Sequence, residues 1–302
     1  MIRTSRKLVY AVSGFLLFCL AAEIFLRRYY GFCDTVLMQA DPNYEYIAQP
    51  NQQRFRFRRH IGYNSFSMRS PEPDSRNNII LGLGDSVLNG GVLTDQDSLA
   101  STLLSDELTL MNQNPVQFLN ISAGSWGPDN CLAYLRHWGD FGAKKVYLIV
   151  SSHDAYDTMD FSPVVGVDKN FPERQYTLAL WELTDRYLLP RIFPSGKEAV
   201  GTEIDKKANS SKFNTGFAGL FRYCHRNNLP LLIYLHAERS ELETGFYNEQ
   251  GQKIIRFALD HHIPLIRDLD NGLDPSHFRD QIHLNEKGQK LMASLILEQE
   301  RG

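Results

Sequence analysis

Residues 8–22 read LVYAVSGFLLFCLAA without a charge, and Ile24, Phe25 and Leu26 carry the apolar run past a single Glu23. Nineteen residues at 1.5 Å rise reach roughly 28 Å, about the hydrocarbon thickness of a bilayer. Arg3, Arg6 and Lys7 precede the run, and Arg27 and Arg28 follow it. The pattern predicts an N-terminal transmembrane helix over residues 1–27, a single-pass anchor with its N-terminus cytoplasmic and the bulk of the chain extracytoplasmic. A cleaved signal peptide, which would leave a secreted protein, is the alternative. Against it, Ala21-Ala22-Glu23 is a poor small-residue cleavage site and the run is longer than a usual h-region. Glu23 and Arg27 stand one helical turn apart, the spacing of an ion pair.

Residues 28–77 read as a connector, rich in turn residues at Asp41-Pro42-Asn43 and Gln49-Pro50-Asn51. Within it Arg54-Phe55-Arg56-Phe57-Arg58 alternates with period two, as a strand does. That strip is expected to be an edge strand with solvated arginines, or else a contact for anionic head groups or an acidic polymer. From residue 78 to 302 short apolar runs alternate with amphipathic stretches. Candidate strands are 79–84, 116–122, 145–151, 230–236 and 263–269, and helical patterns fall near 97–111, 128–140, 211–227, 248–261 and 285–299. Such alternation implies βαβ units and a parallel sheet covered on both faces. Residues 155–210 are too long for an ordinary loop of this class. They are rich in aromatics and read as an insertion, either a structural lid with its own small core or an aromatic wall for carbohydrate.

Composition narrows the function classes. Of 302 residues, 43% are hydrophobic and 22% charged, which excludes a disordered chain. Lys and Arg total 32 against 35 Asp and Glu, a net charge of −3, which argues against a nucleic-acid partner. Cys19, Cys33, Cys131 and Cys224 form no CxxC pair, so neither a zinc ribbon nor a disulfide scaffold is expected.

Chemistry then has to come from the carboxyl ends of the strands, where open α/β sheets build their sites. Gly82-Leu83-Gly84-Asp85-Ser86 runs an apolar strand into a serine. A nucleophilic serine needs a tight turn and a base to take its proton, but Asp-Ser after a strand also serves as a helix N-cap. Asp280-Gln281-Ile282-His283 precedes the last helical pattern. Asp and His three apart can share one side of a turn, the carboxylate holding the imidazole tautomer.

Taken together in this order, the blocks resemble the SGNH (GDSL-type) hydrolase superfamily over about residues 78–300, and within it membrane-anchored bacterial carbohydrate esterases and acyltransferases. Gly84-Asp85-Ser86 matches the first family block, and Asn120-Ile121-Ser122-Ala123-Gly124 fits the second, with Gly124 donating a backbone N–H. Asp280 and His283 match the last. The third block departs: where the family has Gly-x-Asn-Asp, this chain has Ser151-Ser152-His153-Asp154. His153 then either donates to the oxyanion or contacts substrate.

The resemblance implies a flavodoxin-like three-layer α/β/α sandwich on a five-stranded parallel sheet. It implies acyl transfer by Ser86, His283 and Asp280, with Gly124 and His153 as oxyanion or substrate contacts and Asp85 and Asp154 in support. It calls for no metal and no organic cofactor. The expected substrate is an acyl ester, first of all acetyl, on an extracytoplasmic glycan, by hydrolysis or transfer. A lipid or small-ester hydrolase and a non-catalytic glycan-binding or assembly protein remain as alternatives, the latter because His153 stands where the family has Asn.

Overall fold

The computed structural model describes residues 2–193 and 212–301, so the part of the expected insertion from 194 to 210 lies outside the described residues. The chain opens with α1 (Ile2–Tyr30). Within Arg6–Tyr30 an 18-residue stretch has mean hydropathy 2.1 and no buried residue, so the helix is long and apolar enough to cross a membrane or to serve as a signal sequence. Glu23 and Arg27 pair at 2.7 Å. Glu23 also accepts the N–H groups of Ala179 and Leu180, and Arg27 donates to the Thr177 carbonyl at 2.6 Å. The C-terminal end of α1 is thereby docked on the segment that follows residue 176.

Two antiparallel hairpins come next, β1 (Met38–Asp41) with β2 (Glu45–Ala48) and β3 (Gln52–Arg56) with β4 (Arg59–Tyr63). The second turns on Phe57 and Arg58, both at positive φ (49° and 64°), the conformation that a two-residue hairpin of matching twist requires. This stretch is folded rather than a loose link. Tyr44, Tyr46, Ile47, Ile61, Tyr63 and Met68 are buried in the same core as the main sheet. The arginine strip also departs from expectation at its centre. Arg56 is 1% exposed, pairs with Glu182 at 2.5 Å and lies over the rings of Phe32 and Phe57. A buried acid across the fold captures it, so it meets neither solvent nor head groups.

The main sheet contains β5 (Asn78–Gly84), β6 (Val116–Ser122), β7 (Lys145–Ser151), β8 (Leu231–His236) and β9 (Leu265–Arg267), all parallel, in the order β6-β5-β7-β8-β9. The short α2 (Ser86–Asn89) follows β5, and then come α3 (Ala100–Asn112) and α4 (Pro128–Trp138). After β7, α5 (Ala179–Leu183) leads through a π-helical turn, Thr184–Leu188, into α6 (Leu189–Ile192). The later helices are α7 (Thr215–Arg226), α8 (Arg239–Thr244), α9 (Glu249–Asp260) and α10 (Glu286–Arg301). α3 packs with α10 and α4 with α7, because the strand order reverses direction after β6 and right-handed crossovers then change face. Three layers result, with the expected five strands between helices.

Two elements differ from the periodic reading. The last strand ends at Arg267, because Asp268 turns its carboxylate inward onto the Ala237 N–H and the chain leaves the ladder in a 3₁₀ turn. α8 carries no apolar period. It is set instead by Glu241, whose side chain accepts the Glu238 N–H at 2.8 Å.

Candidate active site

β5 is apolar and buried almost throughout, and its last residue has to be very small. A Cβ on Gly84 would lie 2.8 Å from the Ile149 carbonyl oxygen of β7. The chain then turns sharply. The Asp85 carboxylate accepts the Val87 N–H at 2.9 Å and caps α2, leaving Ser86 as its first residue. Serine 86 therefore stands at a strand-to-helix turn at the carboxyl end of β5, the strand on which the sheet order reverses.

Asp280 and His283 reach it from the opposite end of the chain. Asp280 accepts the N–H groups of Ile282 and His283, which closes a tight turn. Both carboxylate oxygens then lie within 2.9 Å of His283 Nδ1. Nε2 of the same ring is 3.1 Å from Ser86 Oγ. Burial raises the Asp280 carboxyl, but hydrogen bonds from the His283 ring and from both backbone N–H groups outweigh it and hold it well below the usual carboxylate range. Asp280 is thus an ionised acceptor throughout the neutral range. It fixes Nδ1 of His283 as the protonated nitrogen and leaves Nε2 to accept from the serine.

Ser86, His283 and Asp280 line a cavity of about 250 Å³, with Gly124 in the same wall. Among the described residues, no hydrogen bond is found from the N–H of Ser86 or of Gly124. A buried polar network ties these two loops together. Asn89 donates to the carbonyl and hydroxyl of Ser122, Ser122 Oγ bonds Asn120, and Asn120 donates to the Leu88 carbonyl at 2.9 Å. The hairpin region clamps the same loops from outside. Tyr46 Oη donates to the Gly124 carbonyl at 2.9 Å, and Tyr63 Oη to Asn89 at 3.2 Å. The guanidinium of Arg69 donates to the carbonyls of Asn89, Gly91 and Thr94. None of these roles is legible from a motif; the alternation of Tyr44 and Tyr46 with polar residues is the one signal present.

His153 and Asp154 lie apart from this group. His153 is not in the cavity wall. Its Nδ1 bonds Glu238 at 3.2 Å, and its Nε2 faces Asp85 at 3.9 Å and Asp154 at 3.8 Å. Burial opposes the charge, but Asp154, Glu238 and Asp85 outweigh it and raise the ring's pKa well above an ordinary histidine's. Asp154 caps the turn after β7 by accepting the Ser151 N–H at 2.7 Å, and burial pushes its carboxyl up. Donor atoms of Asp85, His153 and Asp154 lie within 4.8 Å of one another, a spacing that can hold a metal ion. A metal bound there would compete with a proton for the His153 ring.

One residue near the site escapes sequence reasoning. His236, at the end of β8, is fully buried. Its Nδ1 bonds Asp268 at 2.5 Å and its Nε2 bonds the Ile282 carbonyl at 2.7 Å. With acceptors on both nitrogens the ring carries two protons. Burial lowers its pKa, but Asp268 and the carbonyl raise it further, so the net shift is upward. It holds the backbone immediately before His283, a place that nothing in its sequence surroundings announces.

No protein-family model and no curated protein matches the chain. Several solved structures are similar at low identity. A member of the lipolytic G-D-S-L family from Veillonella parvula is 14% identical over 73% of this chain and 96% of its own, with a TM-score of 0.41. A lipase/acylhydrolase from Enterococcus faecalis is 13% identical over 74% and 94%, with a TM-score of 0.44. A two-domain esterase active on acetylated mannans is 14% identical, with a TM-score of 0.47, over 74% of this chain and 48% of its own.

Proposed function

We propose that this chain is an SGNH-type serine ester hydrolase or O-acyltransferase that acts on an acyl ester, acetyl first of all, of an extracytoplasmic glycan. The observation that carries the reading is the hydrogen-bonded chain from Ser86 Oγ through His283 to Asp280 in a cavity wall, with bonds of 3.1 Å and 2.8 Å. In this reading His283 Nε2 takes the Ser86 proton as Oγ bonds the ester carbonyl carbon. Asp280 stabilises the imidazolium that forms. The N–H groups of Ser86 and Gly124 meet the oxyanion, and His153 stays behind the cavity as support for Asp85. His283 then returns its proton to the departing alkoxide. Water, or a sugar hydroxyl, repeats the sequence on the acyl-enzyme.

The membrane position rests on α1, whose Phe15, Leu16, Leu17 and Phe18 are each more than 60% exposed in the isolated chain. A continuous apolar surface of that kind is stabilised by lipid. The glycan rests on the carbohydrate esterases and acyltransferases common in the family that the motif blocks resemble, and on the membrane helix.

A serine-directed phosphonate probe tests the nucleophile: wild-type protein should label and Ser86→Ala should not. Equal labelling of both overturns the assignment. Acetate release from acetylated glycans, with and without an acceptor sugar, separates hydrolysis from transfer. His153 outside the cavity leaves two oxyanion donors rather than three, and that favours the binding-protein alternative if wild-type protein fails to label.

A further inference from the structure

We propose that Arg186 is an anion-binding residue of the cavity, so that the ester accepted there carries a carboxylate or another oxyanion beside its acyl group. This deepens the reading of the site as a serine ester hydrolase and rests on it.

Arg186 sits on the π-helical turn Thr184–Leu188 and lines the same cavity as Ser86 and His283. It is 7% exposed, yet its Nε and Nη1 are buried with no hydrogen-bond partner among the described residues. The two acids beside it in sequence are already engaged. Glu182 gives one oxygen to Arg56 at 2.5 Å and the other to the Cys33 N–H at 2.6 Å. Asp185 gives one oxygen to Lys169 at 2.7 Å and the other to the Tyr176 hydroxyl at 2.6 Å. The other charges of the cavity wall are also matched. Arg56 has Glu182, Arg279 donates to the Gly90 carbonyl at 3.2 Å and faces Asp280, and Asp280 holds His283.

A guanidinium does not shed its proton on burial, so it cannot neutralise itself as a lysine or histidine can. Arg186 feels the charge of Asp185, but both oxygens of that acid are taken by Lys169 and Tyr176. A guanidinium without hydrogen-bond partners at Nε and Nη1 beside a cavity therefore favours a further anion from what enters the cavity. Its planar fork fits a carboxylate or a tetrahedral oxyanion with two parallel bonds. The π-turn supports the same conclusion, since such turns re-aim a side chain and recur at functional sites. A substrate of this kind is an acylated acidic sugar, the charge coming from a uronate, a sulfate or a phosphate.

Binding and turnover test this separately. Thermal unfolding of the detergent-solubilised full chain, wild type and Ser86→Ala, is followed with oligogalacturonate, with sulfated and phosphorylated oligosaccharides, and with a neutral mannooligosaccharide. The midpoint should rise with at least one anionic ligand in both proteins and stay constant with the neutral one. The arm with the largest shift identifies the anion. Arg186→Gln should abolish the shift, and Arg186→Lys, which keeps charge and fold, should weaken it by about tenfold in apparent Kd. An equal shift with the neutral sugar, or an unchanged one in both Arg186 variants, overturns the proposal. In turnover, the ratio of kcat/KM for an acetylated uronate over 4-nitrophenyl acetate should fall about tenfold or more in Arg186→Gln. An unchanged ratio also overturns it. Because Ser86→Ala is expected to bind, anion binding without phosphonate labelling sinks the hydrolase reading alone, and labelling without anion binding sinks the Arg186 site alone.

Discussion

Replacing Arg69 by methionine should cost the protein substantial stability, and should disable Ser86 without touching it. Arg69 is completely buried and donates to three backbone carbonyls, those of Asn89, Gly91 at 2.5 Å and Thr94 at 2.6 Å. Charged hydrogen bonds contribute about 1.5–3 kcal/mol each, so three give about 4.5–9 kcal/mol before costs. Burying the guanidinium offsets several kcal/mol of that, and its pKa is indeed lowered by burial. Gly91 and Val92 are half-exposed, so water can reach part of what methionine would abandon. The net loss expected is about 3 kcal/mol, a large share of an ordinary domain's 5–15 kcal/mol. Residues 89–94 continue directly from α2, so the same loss loosens the turn carrying Ser86. Urea unfolding of the full chain in detergent, read by the buried Trp126, measures the first effect, and the rate of phosphonate labelling the second. Arg69→Lys should fall between the two. A methionine variant within about 0.5 kcal/mol of wild type, labelling at the wild-type rate, would refute the clamp.

Other outcomes follow from the same geometry. Ser86→Ala and His283→Ala should each reduce ester turnover to a similar residue, with the double variant no worse than either, since the two act as a unit; multiplicative losses in steady-state rates count against the hydrogen-bonded chain. His236 has a raised folded pKa, so its contribution is complete below the unfolded value of about 6.5 and disappears as pH rises through the folded one. The stability gap between wild type and His236→Gln should therefore be widest in mild acid and narrow towards alkaline pH, and a gap that widens with pH in denaturant titrations contradicts the assignment. A reporter enzyme fused after residue 302 should be active only outside the cytoplasm, and a cytoplasmic signal reverses the proposed topology.

The sheet was legible because buried parallel strands are rich in apolar residues; 79–84 and 146–150 are continuous apolar runs, and 116–122 keeps Val116, Phe118, Leu119 and Ile121. Ser86, Asp280 and His283 were legible because each sits at the end of such a run or before an amphipathic helix. What escaped depends on long-range partners. Arg56 looks solvated until Glu182, 126 residues later, is placed against it. His236 has no sequence neighbour that announces its partners, Asp268 and the Ile282 carbonyl, which close on both nitrogens. Of the hairpins over residues 38–63 only the 54–58 alternation showed a period, and their burial comes from tyrosines meeting Trp126 and Tyr134, as Tyr44 does at ring distances of 5.7 and 5.4 Å. His153 could be read as a departure from the third family block, but not as a ring turned towards Asp85, Asp154 and Glu238.

The bond between Ser86 and His283 joins residues 197 positions apart. Its consequence is kinetic. Every strand from β5 to β9 is parallel to its neighbours, so each pairing must wait for an intervening crossover, and the histidine is delivered only after the last of them. Loop closure over such a span is entropically expensive until the sheet beneath it exists, and topologies of this kind fold slowly. Ser86, the proposed nucleophile, is thus made early in synthesis and meets His283 only after β9 has been made. The activity proposed for this site is therefore acquired with the finished sheet rather than by degrees.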